Sequence, residues 1–286
     1  MKSITLILLT LFITLSCISQ DSIELKTQPI VNEGKQLYKS EMASWYGTDL
    51  FLEKFKDRQK IGGYFSYVEE NIAKCIFFSK TDNPKVIGTI SFDSSYNIQT
   101  AVVSMLERDF SEIEYTLFKI RSNALSTINS DTLFKTYPNT SLNLIPIVWN
   151  NEKKVYVLTG PQNSGVVIIG NDYLLNYDEN NNLKTLKRLH KNIIPINYGK
   201  TENGKEAVTT MHSHLPETGD FITPTDICTI MLYEKFAKWE QHIVVSANYY
   251  SIWNCKTDQL FTMTMAAIKK INEHQTGKKK KKVEDD

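Results

Sequence analysis

The spacing of apolar residues changes several times along the chain and divides the first half into helices and strands. Residues 33–60 and 109–127 carry apolar side chains at roughly helical intervals, which predicts two helices. Three short apolar runs separated by turn-forming residues lie between these helices, at 64–68, 73–78 and 86–92. We therefore expect an α+β region over residues 21–136, with an antiparallel meander between the helices and a loose polar leader at 21–34.

The second half consists mostly of the short apolar runs typical of strands, with one helical segment among them. Strands are predicted at 142–148, 154–158, 165–169, 173–177, 183–190, 208–211, 242–246, 250–253 and 259–265. Residues 225–239 have the apolar stripe of an amphipathic helix. We expect a mixed α/β domain over residues 137–268. A disordered tail should follow over 269–286, where five lysines precede three acidic residues.

The N-terminus has the pattern of a targeting segment. Lys2 precedes a largely apolar run at residues 4–15, which is too short to span a bilayer but suits a secretory signal. We expect a signal peptide over residues 1–20 with cleavage after Ser19. The alternatives are lipid attachment at Cys17, which would tether the protein to a membrane, and an uncleaved anchor. Each of these indicates export to the periplasm or cell envelope of a Gram-negative bacterium.

Composition excludes some classes of partner and indicates a globular protein. The hydrophobic fraction is 41% and the charged fraction is 23%, as in ordinary folded domains. The formal net charge is +1, so no global positive field favours nucleic acid as a partner. Neither value indicates an oligomeric state.

Three cysteines lie beyond the targeting segment, at Cys75, Cys228 and Cys255. An odd number argues against a complete disulfide framework, so we expect buried free thiols. One Cys228–Cys255 bridge is the alternative in an oxidising compartment. Their spacing does not match a cysteine-based zinc site.

The best candidate for chemistry is a pair of histidines, His212 and His214, followed after a loop by Thr223 and Asp226. Side chains two positions apart lie on one face of a strand, so both imidazoles can point the same way. Asp226 falls in the first turn of the predicted helix. Two histidines and a carboxylate around an open fourth position commonly bind catalytic zinc. The alternative is structural: Thr223 and Asp226 form a helix capping box, and the histidines lie at a polar strand edge.

This string resembles the signature of JAMM (MPN-type, JAB-like) metallopeptidases, which is H-x-H, a loop of similar length, and S-x-x-D. The resemblance covers residues 140–265 and implies a JAB-like fold, similar to that of cytidine deaminases. It also implies that His212, His214 and Asp226 bind Zn²⁺. Thr223 stands at the serine position and would stabilise the oxyanion.

The resemblance leaves the general base unassigned. The family places a glutamate ahead of a glycine-rich apolar strand, which residues 165–170 match best. The expected glutamate position then falls near Gln162, and an amide cannot accept the proton of a water molecule. Four other acids remain as alternatives: Glu152, Asp172, Glu179 and Glu206. A second departure is Leu215, where the family usually has proline.

Two further histidines carry weaker signals. His190 lies among Lys187, Arg188 and Lys191, a cluster that indicates a solvated face or, alternatively, an anion-binding site. His242 begins a predicted strand, where a histidine is more often a surface or capping residue than a ligand.

The resemblance therefore implies a zinc-dependent amide or isopeptide hydrolase that acts on a peptide or protein, and the N-terminal segment indicates that it belongs to the cell envelope. The alternative is a catalytically inactive JAMM-like fold that serves as an envelope binding or structural module.

Overall fold

The computed structural model describes residues 2–199, 204 and 206–284, with side chains for residues 22–199, 204 and 206–274. Its helices and sheets make a mixed α+β protein, as the sequence predicts. The signal peptide at 1–20 and lipid attachment at Cys17 concern side chains outside the described residues. Among the helices that could be assessed, none is long and apolar enough to cross a membrane.

The first unit is one long helix packed on an antiparallel sheet. Its elements are α1 (Lys2–Lys54), a 3-10 turn (Arg58–Lys60), β1 (Ile61–Glu69), β2 (Ile72–Ser79), β3 (Val86–Phe92) and β4 (Val102–Ser104). The strands pair in sequence order, so the predicted meander is confirmed and gains a short fourth strand.

Helix α2 (Glu112–Ser130) connects the first sheet to a second antiparallel sheet. Ser111 and Glu114 form a capping box that begins this helix. The second sheet contains β5 (Thr140–Trp149), β6 (Glu152–Pro161), β8 (Tyr173–Tyr177) and β9 (Leu183–Arg188). The chain leaves it twice to form a two-stranded ribbon of β7 (Val166–Gly170) and β10 (Ile193–Asn197).

The third unit contains the candidate metal ligands His212, His214 and Asp226. It consists of β11 (Thr209–Ser213), α3 (Pro224–Ala237), β12 (Gln241–Val245), β13 (Tyr249–Asn254) and β14 (Gln259–Thr264). Strands β11 and β12 are parallel and joined through α3, whereas the remaining pairs are antiparallel. Helix α4 (Met265–Glu284) follows and occupies most of the segment predicted as a disordered tail. Side chains from residue 275 onward lie outside the described part.

The predicted loose leader at 21–34 is wrong, because these residues belong to α1 and pack against the fold. Ile23, Thr27 and Val31 are each 6% exposed. Their spacing of four places them on one face of the helix. The stripe is narrow and is surrounded by polar residues, which is why composition alone indicated a loop.

Helix α1 contributes to the cores of all three units. Ala43 and Phe51 pack into the core of the first sheet. Leu37 joins the core against the second sheet, and Val31 joins the core around α3. Helix α2 also links units, since Leu117 belongs to a core that includes side chains of both antiparallel sheets. The predicted division at residues 136/137 therefore crosses a shared apolar core.

The three cysteines of the described part, Cys75, Cys228 and Cys255, are free thiols, so the alternative Cys228–Cys255 bridge is not formed. Cys75 and Cys228 are fully buried, and burial raises the pKa of both thiols.

Helix α1 packs closely on α3 at Gly34. A Cβ atom there would lie 2.7 Å from Ile227 Cβ and 3.0 Å from the Pro224 carbonyl oxygen. These neighbours belong to the first turn of α3, which also carries Asp226. The glycine therefore permits the packing that positions this turn.

We expect Gly34→Ala to lower the free energy of unfolding in urea. Overpacking typically lowers this free energy by about 1–3 kcal/mol. The higher helix propensity of alanine contributes about 1 kcal/mol and offsets this loss only in part. Gly160→Ala is the control, because a Cβ at Gly160 meets open space. Equal stability of the two variants would contradict tight packing at Gly34.

Glu234 is a buried carboxyl on α3 and accepts a 3.3 Å hydrogen bond from Trp253 Nε1. Burial, assisted by the negative charge of Asp258, raises the pKa of Glu234 from 4.5 to about 7. The folded state thus binds this proton more tightly than the unfolded state. Protonated Glu234 therefore contributes its full stabilisation below about pH 4.5, and this stabilisation is lost as the pH rises through about 7.

We expect Glu234→Gln to become progressively more stable than the unsubstituted protein between pH 4.5 and 7. The difference should grow by up to about 1.4 kcal/mol per pH unit, measured by urea unfolding at each pH. Glu240→Gln on the surface provides the matched control. A difference that does not vary with pH would show that Glu234 is ionised in the fold.

Candidate metal centre

Three separate parts of the chain bring the candidate ligands together. Along β11 and just beyond it, Thr210, His212 and His214 alternate with exposed residues and face inward. Asp226 lies in the first turn of α3, and His190 follows the end of β9. The crossover from β11 through α3 to β12 places the helix N-terminus beside the end of the strand.

The ligand atoms of His190, His212, His214 and Asp226 all lie within 4.8 Å of one another. His214 Nε2 is 3.0 Å from His190 Nε2 and 3.1 Å from His212 Nε2. It is also 3.2 Å from Asp226 Oδ2. Asp226 Oδ1 lies 3.6 Å from His190 Nε2 and 3.5 Å from His212 Nε2. All four residues are buried, with exposed fractions of 1–7%.

Four of these separations, those of His214 Nε2 and of Asp226 Oδ1 from the Nε2 atoms of His190 and His212, are 3.0–3.6 Å and lie close to the edge length of a coordination tetrahedron. At the metal–nitrogen distance of about 2.0–2.1 Å found for zinc, ligand atoms lie about 3.3–3.4 Å apart. Asp226 Oδ1 is buried without a hydrogen-bond partner in the described part of the chain. It faces the imidazoles, and a buried unpaired carboxylate oxygen is costly. The group could therefore hold a metal ion.

The capping-box interpretation of Asp226 is confirmed, and it leaves the other carboxylate oxygen available to a metal ion. Oδ2 accepts hydrogen bonds from the Thr223 backbone N–H at 2.8 Å and the Thr223 hydroxyl at 2.7 Å. The Asp226 backbone N–H donates in return to Thr223 Oγ1. This is the capping box that begins α3. Oδ1 remains free to face the imidazoles, so the cap orients the ligand.

The sequence did not identify His190 as a member of the group. Its neighbours Lys187 and Lys191 are exposed as predicted, but Leu189 and His190 turn inward. The predicted solvated face is therefore wrong for His190 itself, which is 4% exposed. The count of histidines was an available signal. The chain has five: three lie in this group, His242 contacts His212, and His274 is exposed.

Asp172 fixes His190 in place. Its Oδ1 accepts hydrogen bonds from His190 Nδ1 at 2.7 Å and from the His190 backbone N–H at 3.0 Å. The other oxygen accepts a hydrogen bond from the hydroxyl of Thr225 on α3. The loop also packs closely on Gly170, where a Cβ would lie 2.4 Å from the Asn192 carbonyl oxygen. These contacts fix the position of His190 beside the other three residues of the group.

The residues considered as a general base fall into two groups. Asp172 contacts the cluster, but its two carboxylate oxygens already accept hydrogen bonds from His190 and Thr225. Gln162 is exposed in the turn before β7, at the opposite end of that strand from Gly170 and His190. Three others form no part of the cluster: Glu152 pairs with Lys154, Glu206 pairs with Lys238, and Glu179 is exposed. Thr223, expected to stabilise an oxyanion, donates its hydroxyl proton to Asp226.

His242 is a further residue whose role the sequence missed. It is fully buried rather than at the surface. Its Nε2 lies 2.8 Å from His212 Nδ1, and its Nδ1 lies 2.7 Å from Thr210 Oγ1. Parallel pairing of β11 and β12 places His242 directly opposite Thr210. No signal in the local sequence predicted this contact, because it depends on the crossover through α3.

The electrostatic environment favours a neutral His212 and an ionised Asp226, the states that metal binding needs, whereas His190 would have to release a proton to bind a metal ion. Burial lowers the pKa of His212 to about 4 and that of His242 to about 3, so both imidazoles are neutral at pH 7. Burial disfavours an ionised Asp226, but the surrounding histidines overcome this effect and hold the pKa well below its ordinary value. Burial likewise lowers the pKa of His190, but Asp226 and Asp172 together raise it to about 9.

No protein-family model, curated protein or solved structure matches this chain.

We expect Asp172→Asn to weaken metal binding about 10–100-fold, because the carboxylate that orients a ligand histidine is lost. The affinity is measured by competition with a chromophoric chelator, using Co²⁺ and Zn²⁺ as probe ions. Asp178→Asn in the exposed β8–β9 turn is the matched control and should bind as the unsubstituted protein does. If Asp172→Asn binds as tightly as this control, Asp172 does not position a metal ligand.

Proposed function

We propose that this protein binds one zinc ion through His190, His212, His214 and Asp226 in a closed four-ligand site. In this proposal the metal stabilises a non-hydrolytic binding or structural module of the cell envelope. The observation that carries it is the convergence of four buried ligand atoms from three parts of the chain within 4.8 Å. Such a site would cross-link the second sheet, β11 and the first turn of α3.

The donor set supports zinc among the first-row metals. Three borderline imidazole nitrogens and one hard carboxylate oxygen are a ligand set that zinc accepts, and the separations of 3.0–3.6 Å involving His214 Nε2 and Asp226 Oδ1 are close to those of four-coordinate tetrahedral geometry. Calcium and magnesium prefer six or more oxygen ligands, which this cluster does not offer. Bound zinc would supply the positive charge that the buried Asp226 carboxylate requires.

The position of His190 supports the non-hydrolytic interpretation over the metallopeptidase. Catalytic zinc sites usually have three protein ligands and keep a fourth position open, whereas structural sites are closed by four. His190 stands in the position expected to be open and is held there by Asp172. The exposed fractions of 1–7% also leave little access for a peptide.

Zinc-dependent amide or isopeptide hydrolysis is the second candidate, favoured by the H-x-H and T-x-x-D spacing of the JAMM signature. Zinc in such a site polarises the substrate carbonyl. This function requires His190 to leave the metal, and it requires Asp172, once released from His190, to accept the proton. The predicted substrate would be a peptide or protein.

The N-terminal sequence supports export, with cleavage after Ser19 or lipid attachment at Cys17. Among the described side chains of α1, the first buried one is Ile23. Cleavage after Ser19 would therefore retain every described side chain with which α1 packs on the fold. The net charge of +1 provides no positive field that would favour nucleic acid as a partner.

The proposal predicts about one zinc per chain in protein purified without chelators or affinity metal. A His212→Ala/His214→Ala double variant should contain none, whereas His274→Ala, the surface control, should retain it. Free zinc at about 100 times the dissociation constant should stabilise the fold by about 2.7 kcal/mol. Absence of metal from a well-folded unsubstituted protein would leave the cluster as a hydrogen-bonded polar network.

A second measurement separates the two candidate functions. Peptide and isopeptide substrates are incubated with the zinc-loaded protein and with His190→Ala, which opens a coordination position. The non-hydrolytic module predicts no turnover by the unsubstituted protein. Zinc-dependent turnover by that protein, abolished in Asp226→Ala, would favour the hydrolase.

A further inference from the structure

His242 is the most deeply buried of the four clustered histidines, with no exposed surface, although it is not one of the converging ligands. It lies between two residues of the neighbouring strand. Its Nε2 is 2.8 Å from His212 Nδ1, and its Nδ1 is 2.7 Å from Thr210 Oγ1. The ring also packs beside Trp239, with centroids 5.8 Å apart. These two polar contacts and the packing on Trp239 fix the orientation of the imidazole.

The positions of the ring protons follow from simple counting. A neutral imidazole carries one N–H, and a nitrogen that coordinates a metal ion cannot carry it. If His212 binds the metal through Nε2, its proton lies on Nδ1 and is donated to His242 Nε2. The proton of His242 must then lie on Nδ1, from which it is donated to Thr210 Oγ1. The chain of hydrogen bonds has only this direction.

We propose that His242 is a positioning residue that fixes the tautomer and ring orientation of His212 for metal binding. This inference rests on the proposed function, since it concerns the same metal centre. Metal-ligating histidines usually donate their second N–H to a carboxylate, a backbone carbonyl or water. Here the acceptor is the buried imidazole of His242, which Thr210 aligns.

The three ligand histidines differ in this respect, which makes the role of His242 specific to His212. His190 Nδ1 has the Asp172 carboxylate as its partner. His214 Nδ1 is buried without a partner in the described part of the chain. Of the three, only His212 has an imidazole as the partner of its Nδ1. That imidazole belongs to His242 on the parallel strand β12, which the chain reaches through α3. Formation of the β11–α3–β12 crossover would therefore complete the orientation of this ligand.

The test is nitrogen-15 NMR of the histidine rings in the zinc-loaded full chain. We expect His212 to be protonated at Nδ1 with zinc on Nε2, and His242 to be protonated at Nδ1. His242→Leu should lower zinc affinity about 10–100-fold. His242→Gln should restore most of the affinity, because a glutamine carbonyl can accept the His212 proton. His274→Leu provides the exposed control.

Three results would overturn the inference. One is a His242 protonated at Nε2 in the zinc-loaded protein, since this imidazole could not then accept from His212. The second is unchanged zinc affinity in a folded His242→Leu variant. The third, if that variant does not fold, is unchanged zinc affinity in Thr210→Val relative to Thr209→Val, which lies on the opposite face of β11. Failure of the unsubstituted protein to bind zinc would instead remove the proposed function itself.

Discussion

The arrangement of the third unit depends on the buried charge of Asp226. An ionised carboxylate removed from water is costly unless it is paired and hydrogen-bonded. Thr223 satisfies Oδ2, which also contacts His214 Nε2, whereas Oδ1 faces the imidazoles of His190 and His212 and has no hydrogen-bond partner among the described residues. A positive charge at the centre, as a proton on His190 or as a metal ion, offsets this cost. This requirement explains why the ligands converge and why they are so well supported by other polar groups.

The rest of the fold holds the three contributing segments against one another. Gly34 lets α1 approach the first turn of α3 closely, and Leu37 on the same helix packs with Cys228 and with the second sheet. Asp172 spans the remaining gap, since its two oxygens bind His190 and the hydroxyl of Thr225 on α3. The candidate metal centre thus lies where the end of β9, the end of β11 and the first turn of α3 meet, so its geometry depends on the packing of these three segments.

Local patterns predicted the elements well, whereas contacts that depend on topology were not accessible. The meander, the α3 segment and the Thr223–Asp226 cap follow from residue spacing and capping chemistry, which act over a few positions. His190 belongs to the candidate ligand group because the chain after β9 turns Leu189 and His190 inward beside exposed lysines. The contact between His242 and His212 depends on a parallel strand pairing formed across a helix. The helix over residues 21–34 was missed, because three buried residues spaced four apart leave only a weak helical signal in a polar segment.

The central claim is that the metal coordination is complete without solvent. The most direct measurement is a crystal structure of the zinc-loaded protein with anomalous diffraction recorded at the zinc edge. The account predicts one zinc ion bound by His190, His212, His214 and Asp226 at about 2.0–2.2 Å, with no solvent ligand. Zinc bound by His212, His214 and Asp226 alone, with solvent in the fourth position and His190 turned away, would contradict it.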